Sequence, residues 1–139
     1  MLLPISLIRI LIIYSQFYKF PDHPPGVHSN MKNRPAEIVQ QIQNIESVMQ
    51  DLELYASARP DDSAFESSAP FCYDTMSFLE WLQWVMFPKT RELIAREMPL
   101  PTVCEIHPLA EEEFKLLNQE TDVLLEEILK LDQLFNVAH

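Results

Sequence analysis

The sequence predicts an all-α fold, a compact bundle of four to five helices with a proline-rich crossover loop. Apolar residues recur at intervals of three and four along several segments, and no segment alternates apolar and polar residues with a period of two. The chain has 139 residues, the size of a single domain, and 47% of them are hydrophobic, as in globular proteins. One glycine against eleven prolines disfavours a turn-rich β-sandwich and excludes glycine-rich phosphate-binding loops.

The first helix is predicted over Ala36 to Tyr55, with Pro35 in its first turn, where the missing N–H is harmless. Its apolar residues follow one another at spacings of four, three, four and three, which places them in one stripe that faces the core. These residues are Ile38, Ile42, Ile45, Met49 and Leu52. The polar segment from Ala58 to Pro70 is rich in turn residues, and we expect it to be a mobile loop.

The second helix is predicted over Phe78 to Phe87 and is apolar on nearly every face. Ser77 and Glu80 have the spacing of a capping box, in which a hydroxyl and a carboxylate each accept a backbone N–H of the first turn. Glu80 and Gln83 are the only polar residues of this helix, and their spacing of three puts them on one narrow stripe. A helix that is apolar almost all round is typical of the centre of a bundle, and we expect Trp81 to fill the core.

Prolines divide the rest of the chain into segments. Pro88 is expected to end or kink the second helix, because it removes a backbone donor and opposes the carbonyl of Trp84. A more amphipathic helical segment continues from Lys89 to Met98, and Met98 to Pro108 is an extended crossover. Two further helices are predicted, over Leu109 to Leu117, which Pro108 begins, and over Thr121 to Phe135.

A continuous motif in the middle of the chain resembles a known family. Residues 70–100 read PFCYDTMSFLEWLQWVMFPKTRELIAREMPL, with PF, DTM and LEWLQWV in order, a proline three residues on, and PLP at positions 99–101. This order is similar to that of the YqcC-like family, which are small bacterial all-helical proteins of unknown function. The resemblance covers about Met31 to Phe135. It implies a tRNA pseudouridine synthase as partner, since family members are commonly encoded beside one, and it supplies no catalytic residues.

The first thirty residues differ in character from the rest. Their apolar run is interrupted by Arg9 and stops at Tyr14, short of the roughly 20 residues that a spanning helix needs. No small-residue cleavage site follows the run, and PDHPPGVHSN has the composition of a linker. We therefore expect residues 1–30 to be a non-native or disordered extension, Met31 to be the true start, and residues 31–139 to be the helical domain. A weak membrane anchor or an interfacial helix is the alternative for residues 1–30.

The acidic charge is concentrated in the predicted domain. Residues 31–139 contain 8 basic and 20 acidic residues, a net charge of −12 within a chain total of −11. A domain this acidic repels phosphate backbones, which predicts no direct nucleic-acid binding. Because no signal or membrane-spanning segment is recognised, we expect the protein in the cytoplasm, with Cys72 and Cys104 reduced and buried.

Two patterns resemble metal-binding or catalytic chemistry, and an ordinary structural interpretation is preferred for each. His107 and Glu111 have the spacing of two ligands on one helix face, but Pro108 is expected to break the helix between them. The tripeptide KLD at positions 130–132 is similar to the Arg-Leu-Asp around the catalytic aspartate of pseudouridine synthases, and is interpreted as a solvated helix end. We expect no metal site and no cofactor.

These observations favour a non-enzymatic protein-interaction or accessory protein, associated with tRNA pseudouridine modification through a partner enzyme. Aromatic residues are over-represented at interfaces, so the segment from Pro70 to Leu100 is the predicted place of docking. The candidate contacts, named here the predicted docking surface, are Phe71, Tyr73, Asp74, Glu80, Gln83, Trp84 and Phe87. The alternative is a small hydrolase or metal-dependent enzyme that uses Asp74, Glu80 and His107, which convergence of these three on one pocket would favour.

Overall fold

The computed structural model of the protein describes residues 34–69, 72, 74–101 and 104–136. A 3-10 helix and a π-helical segment occur between α-helices, and no strand is found among the described residues, so the predicted all-α class is confirmed. In chain order the elements are α1 (Arg34–Asp51), the 3-10 helix (Asp62–Glu66), α2 (Phe78–Trp81), the π-helical segment (Leu82–Met86), α3 (Phe87–Ala95), α4 (Ile106–Phe114) and α5 (Asp122–Phe135).

Some expectations fall on residues outside these ranges. The extension over residues 1–30 and the start at Met31 lie outside the described residues. Phe71 and Tyr73 of the predicted docking surface also lie outside them. Within the described ranges, none of the helices has both the length and the apolar character needed to cross a membrane.

One hydrophobic core joins the helices. α1 packs mainly against α5, and α4 also packs against α5, whose span agrees with the prediction to within one residue. Trp81 is 1% exposed and lies in this core, as predicted. The predicted stripe of α1 is buried except at Leu52, which is half-buried just beyond the helix end. Its buried members are Ile38, Ile42, Ile45 and Met49.

α1 ends at Asp51, four residues before its predicted end. The chain turns there through Glu53, which adopts a left-handed φ of 61°. The N–H groups of residues 53 and 54 donate back to carbonyls of the last turn, which are the two hydrogen bonds of a Schellman motif. α3 ends in the same motif, with Glu97 at a φ of 53°. At both ends a glutamate occupies the position that glycine usually fills.

Pro88 does not end the second helix, so of the two predicted outcomes, an end or a kink, the first is wrong. α2, the π-helical segment and α3 follow one another without a break from Phe78 to Ala95. The N–H of Phe87 donates to the carbonyl of Leu82, five residues back instead of four. This wider turn comes immediately before the proline and accommodates its ring, which in a regular helix clashes with the carbonyl four residues earlier.

α4 begins at Ile106, three residues before its predicted start. Pro108 lies inside the first turn, where a backbone N–H would have no partner within the helix. The predicted break between His107 and Glu111 is therefore wrong. Both residues belong to α4, and Nδ1 of His107 lies 3.1 Å from Oε1 of Glu111.

Candidate functional site

The structure divides the predicted docking surface between the protein surface and the core. Gln83 and Phe87 are buried, at 5% and 0% exposure, so the prediction that they present a surface is wrong for both. Asp74 is exposed, and Glu80 and Trp84 are half-buried. These three residues are the described remainder of the surface, and their role in docking stays a prediction.

Gln83 fastens the chain after α1 to the π-helical segment. Its Nε2 donates to the carbonyl of Ala56 over 2.7 Å, and its Oε1 accepts the N–H of Ala56 over 2.8 Å. Both backbone groups of one loop residue are therefore satisfied by a single side chain. The amide in this otherwise apolar helix has a structural explanation, because it supplies both hydrogen bonds of a half-buried loop residue.

Trp84 packs without using its polar atom. The indole Nε1 is buried and has no hydrogen-bond partner among the described residues. A buried donor that lacks a partner costs about 1–3 kcal/mol. The ring therefore contributes to the fold through packing and not through a hydrogen bond.

The three candidates of the enzyme alternative each have a local partner. Those partners are Ser67 for Asp74, Ser77 for Glu80 in the predicted capping box, and Glu111 for His107. No hydrogen bond or ion pair joins any two of the candidates in the described part of the chain. The same part contains no group of three or more His, Cys, Asp or Glu that could hold a metal ion. These contacts give the enzyme alternative no support.

A buried carboxylate lies at the start of α4. Asp132, on α5, is only 5% exposed, so its interpretation as part of a solvated helix end is wrong. Its Oδ1 accepts the N–H of Ile106 over 3.1 Å, and its Oδ2 accepts the N–H of His107 over 2.9 Å. The thiol of Cys104 donates to Oδ1 over 3.2 Å. Asp132 thus acts as an N-cap for α4 although it belongs to another helix. This part is ordinarily played by the residue just before the helix.

Burial controls the ionisation of this cluster. It raises the pKa of Asp132 to about 6, although the N–H of His107, the Cys104 thiol and the N–H of Ile106 lower it. Burial, followed by the charge of Asp132, raises the pKa of Cys104 well above its ordinary value. Both cysteines are free and buried, as predicted. A protonated thiol is a poor nucleophile, which argues against chemistry at Cys104.

Arg34 caps the C-terminal end of α5, the same end at which Asp132 lies. Its Nε donates to the carbonyl of Leu134 over 2.9 Å, and one terminal nitrogen donates to the carbonyls of Phe135 (2.7 Å) and Pro101 (2.9 Å). The guanidinium satisfies carbonyls of the last helical turn and places a positive charge at the negative end of the helix dipole. It also ties the start of α1 to the end of α5 and to the crossover.

Every lysine and arginine among the described residues is engaged with a carboxylate or a backbone carbonyl. Arg91, on α3, pairs with Glu46 of α1, which links the two helices. The remaining pairs are local: Arg59 with Asp62, Lys89 and Arg96 with Glu92, Lys115 with Glu112, and Lys130 with Glu127. RNA phosphates need available cations, and this part of the surface offers none that is not already paired.

Among the described residues, the two large apolar side chains with the greatest fractional exposure lie at one end of the α4 and α5 pair. Leu116, in the connection between the two helices, is 84% exposed, and Val123, in the first turn of α5, is 58% exposed. Between them, Nε2 of Gln119 donates to the carbonyl of Leu52 over 3.4 Å. That contact fixes the connection against the C-terminal end of α1. We name residues 111–126 the α4–α5 corner.

Comparison with known proteins identifies the family. Protein YqcC of Escherichia coli, described as uncharacterized, is 34% identical over 95 residues, which cover 68% of this chain and 87% of that protein. An uncharacterized protein of Haemophilus influenzae is 38% identical over 106 residues, or 76% of this chain and 96% of that protein. A family model described as tRNA pseudouridine synthase C matches residues 37–134. The chain belongs to the YqcC-like family.

A solved structure supports the same assignment. The solution NMR structure of YqcC from Escherichia coli matches this YqcC-like chain with a TM-score of 0.68 at 30% identity. The match covers 77% of this chain and 95% of the other. The resemblance read from the motif around residues 70–101 and the all-helical fold it implies are both confirmed.

A further match to this YqcC-like chain lies in a larger protein. A protein of Pectobacterium carotovorum subsp. carotovorum named tRNA pseudouridine synthase C is 35% identical over 69 residues. Those residues cover 50% of this chain but only 18% of that protein. The region that is similar to the YqcC-like chain is therefore a minor part of the protein that bears the enzyme's name.

The sequence interpretation missed the two side chains that cap α4 and α5 from a distance. One signal was available for Asp132: no basic residue lies three or four positions from it, and Ile128, one turn earlier, belongs to the buried face. Together these features indicate a carboxylate that turns toward the core. Arg34 carried no comparable signal, because its carbonyl acceptors lie 67 to 101 residues away in the sequence.

Proposed function

We propose that this YqcC-like protein is a non-catalytic accessory protein that binds a tRNA pseudouridine synthase. The observation that carries the proposal is the Pectobacterium protein, in which a segment similar to this chain forms part of a protein with that enzyme's name. Regions that share one polypeptide in one organism often interact as separate chains in another. The description of the matching family model points the same way.

A binding role without catalysis is supported by the contacts of the candidate residues. Acid–base and nucleophilic catalysis need two or more groups within hydrogen-bond reach of one another and of the substrate. Asp74, Glu80 and His107 are each held by a different neighbour. The thiol of Cys104 is buried and hydrogen-bonded to Asp132. The described residues that could do chemistry are therefore engaged in holding the fold together.

The charge of the chain suits such a partner. An enzyme that acts on tRNA needs a positive surface for the phosphate backbone. A chain with a net charge of −11 is attracted to that surface at a distance, which raises the rate of association. The same charge, with every described cation already paired, disfavours binding of the chain to tRNA itself. The proposal places the protein in the cytoplasm, together with tRNA and the enzyme.

The proposal is tested by mixing the purified chain with the tRNA pseudouridine synthase C encoded in the same genome. Size-exclusion chromatography with light scattering then measures the molar mass of each eluted species. We expect one complex that contains both proteins at about 150 mM salt. A tRNA pseudouridine synthase of another class and similar net charge is the control, and it should elute separately. Separate elution of the cognate pair at about 50 μM of each protein, well above the Kd of specific complexes, would contradict the proposal.

The non-catalytic part of the proposal has its own test. tRNA is incubated with the chain alone, with the synthase alone and with both, and pseudouridine is quantified by mass spectrometry. The chain alone should form no pseudouridine under conditions in which the synthase does. Formation by the chain alone would contradict the assignment as an accessory protein.

A further inference from the structure

Two exposed apolar side chains belong to the α4–α5 corner. Leu116 is 84% exposed and Val123 is 58% exposed, and they lie within eight positions of each other at the same end of one helix pair. Single exposed apolar side chains are ordinary on protein surfaces. A pair that a short connection holds in place, with Gln119 fixing that connection to α1, is a preformed apolar contact for a partner.

Acidic residues flank this pair in the sequence, and some of them lie at helix ends where the helix dipole does not favour a negative charge. The glutamates at 111–113 occupy the last turn of α4, where the negative end of the helix dipole repels acidic side chains. Asp51 is an acidic residue at the C-terminal end of α1, where the dipole of that helix also disfavours a negative charge. The hydrogen bond from Gln119 to the carbonyl of Leu52 brings this helix end beside the corner. Lys115 is the only basic residue within the corner, and it pairs with Glu112.

The carboxylates at the start of α5 have a different explanation. Glu120 and Asp122 lie at the N-terminal end of the helix, where a negative charge is favourable. Folding therefore accounts for these two. At the end of α4, Glu111 and Glu112 have local partners in His107 and Lys115, whereas Glu113 and, at the end of α1, Asp51 oppose the helix dipole without such a pair in the described part of the chain. A local arrangement that opposes the stability of its own helix is the kind of inconsistency expected at a functional surface.

We infer that the α4–α5 corner docks onto a positively charged surface of the synthase, with Leu116 and Val123 at the centre of the contact and the carboxylates around them. The inference rests on the proposed function and deepens it by assigning the surface and the chemistry of its complement. An apolar centre within a polar rim is the usual anatomy of a specific interface. The described remainder of the predicted docking surface lacks such a centre, since none of its residues is a large, strongly exposed apolar side chain.

The test compares variants of the corner with matched controls outside it. Leu116→Ser removes the apolar centre, and its control is Leu129→Ser, on the outer part of α5 beyond the corner. A double variant, Glu112→Gln with Glu113→Gln, removes two charges. Its control is Glu37→Gln with Asp61→Asn, which removes two charges from exposed positions elsewhere. Affinity of each full-length chain for the synthase is measured by isothermal titration calorimetry at several salt concentrations.

We expect the corner variants to bind about tenfold more weakly and both controls to stay within about twofold of the wild type. The loss in the glutamine variant should shrink at high salt, because salt already screens the charges that it removes. Its melting temperature should change little, since the repulsion relieved at the end of α4 offsets the loss of the exposed pair between Glu112 and Lys115, so weaker binding would not reflect unfolding.

Three outcomes separate the inference from the proposed function. If the wild type binds and the corner variants bind equally well, the inference is overturned while the proposed function stands. If Trp84→Ala alone weakens binding, the predicted docking surface is the contact and the inference is again overturned. If the wild type does not bind at any salt concentration, the proposed function itself fails.

Discussion

Asp132 of α5 holds the first turn of α4 through the backbone N–H of His107, which donates to its Oδ2 over 2.9 Å. The N–H of Ile106 and the thiol of Cys104 donate to the other carboxylate oxygen. The contact locks the start of α4 to the C-terminal half of α5. The α4–α5 corner lies at the other end of the same helix pair.

The raised pKa of Asp132 predicts a specific pH dependence of stability. Its carboxyl binds a proton more tightly in the folded protein, with a pKa of about 6, than in the unfolded chain, with a pKa of about 3.9. The stability that it contributes is therefore fully present below about pH 4 and is lost as the pH rises to about 6, by roughly 3 kcal/mol. Asp132→Asn cannot titrate, so the difference in unfolding free energy between wild type and variant should decrease over this range. Urea unfolding of both proteins at pH 4, 5, 6 and 7 measures this difference. A difference that stays constant with pH would contradict the raised pKa of Asp132.

The two tryptophans of the long helix should respond differently to substitution. Trp84→Phe removes a buried N–H that has no partner in the described part of the chain, so the loss of packing and the relief of an unsatisfied donor largely cancel. We expect a change in unfolding free energy of less than about 1 kcal/mol. Trp81→Ala, at a position 1% exposed, should cost about 3–5 kcal/mol because it opens a cavity in the core. Chemical denaturation followed by circular dichroism measures both, and a loss above about 2 kcal/mol for Trp84→Phe would show that the indole N–H has a partner.

The end of α3 offers a stabilising substitution. Glu97 adopts a φ of 53°, a conformation that costs an L-residue about 1 kcal/mol and costs glycine nothing. Glu97→Gly should therefore raise the unfolding free energy by up to about 1 kcal/mol, even after the added freedom of the unfolded chain. Ala95→Gly, two residues earlier in helical conformation, is the matched control and should lower it by about 0.5–1 kcal/mol. Equal losses for the two variants would show that Glu97 is not strained.

The sequence predicted the helices well where local periodicity decides the outcome. The stripe of α1 around Ile42 follows from spacing alone, and the capping box at Ser77 follows from two residues three positions apart. The helices continue through Pro88 and Pro108, where an end or a break was predicted, for reasons outside the local pattern. A π turn accommodates Pro88, and Pro108 became a first-turn residue because Asp132, 25 residues beyond His107, caps a helix that begins before the proline.

The candidate site was predicted less well, because its residues depend on contacts that are distant in sequence. Gln83 fits the pattern of a polar stripe on the surface, yet both of its hydrogen bonds go to Ala56, 27 residues earlier. Asp132 fits the pattern of a solvated helix end until the start of α4 is placed against it. The exposure of Leu116 could not be predicted either, since a leucine next to a helix end is equally compatible with burial.

Direct binding of tRNA should be weak. The closest group of basic residues in the sequence, Lys89, Arg91 and Arg96, is neutralised by Glu92 and Glu46. Few counterions would be released on binding, so any affinity for tRNA should vanish near about 150 mM salt. A gel-shift titration of tRNA with the purified chain measures this. Micromolar binding that survives that salt concentration would show that the protein has a basic cleft. It would contradict the claim that its negative charge and paired cations prevent tRNA binding.

The measurement that tests the central claim most directly is an NMR titration of the 15N-labelled chain with the unlabelled synthase. Amide resonances of the α4–α5 corner, above all those around Leu116 and Val123, should shift or broaden as the enzyme is added. Resonances at the start of α4, around Ile106, should stay unchanged, because that end of the helix pair faces Asp132 and the core. Perturbation confined to the region from Asp74 to Trp84 would contradict the assigned surface. A spectrum that does not change at any residue would contradict the claim that this protein binds the enzyme at all.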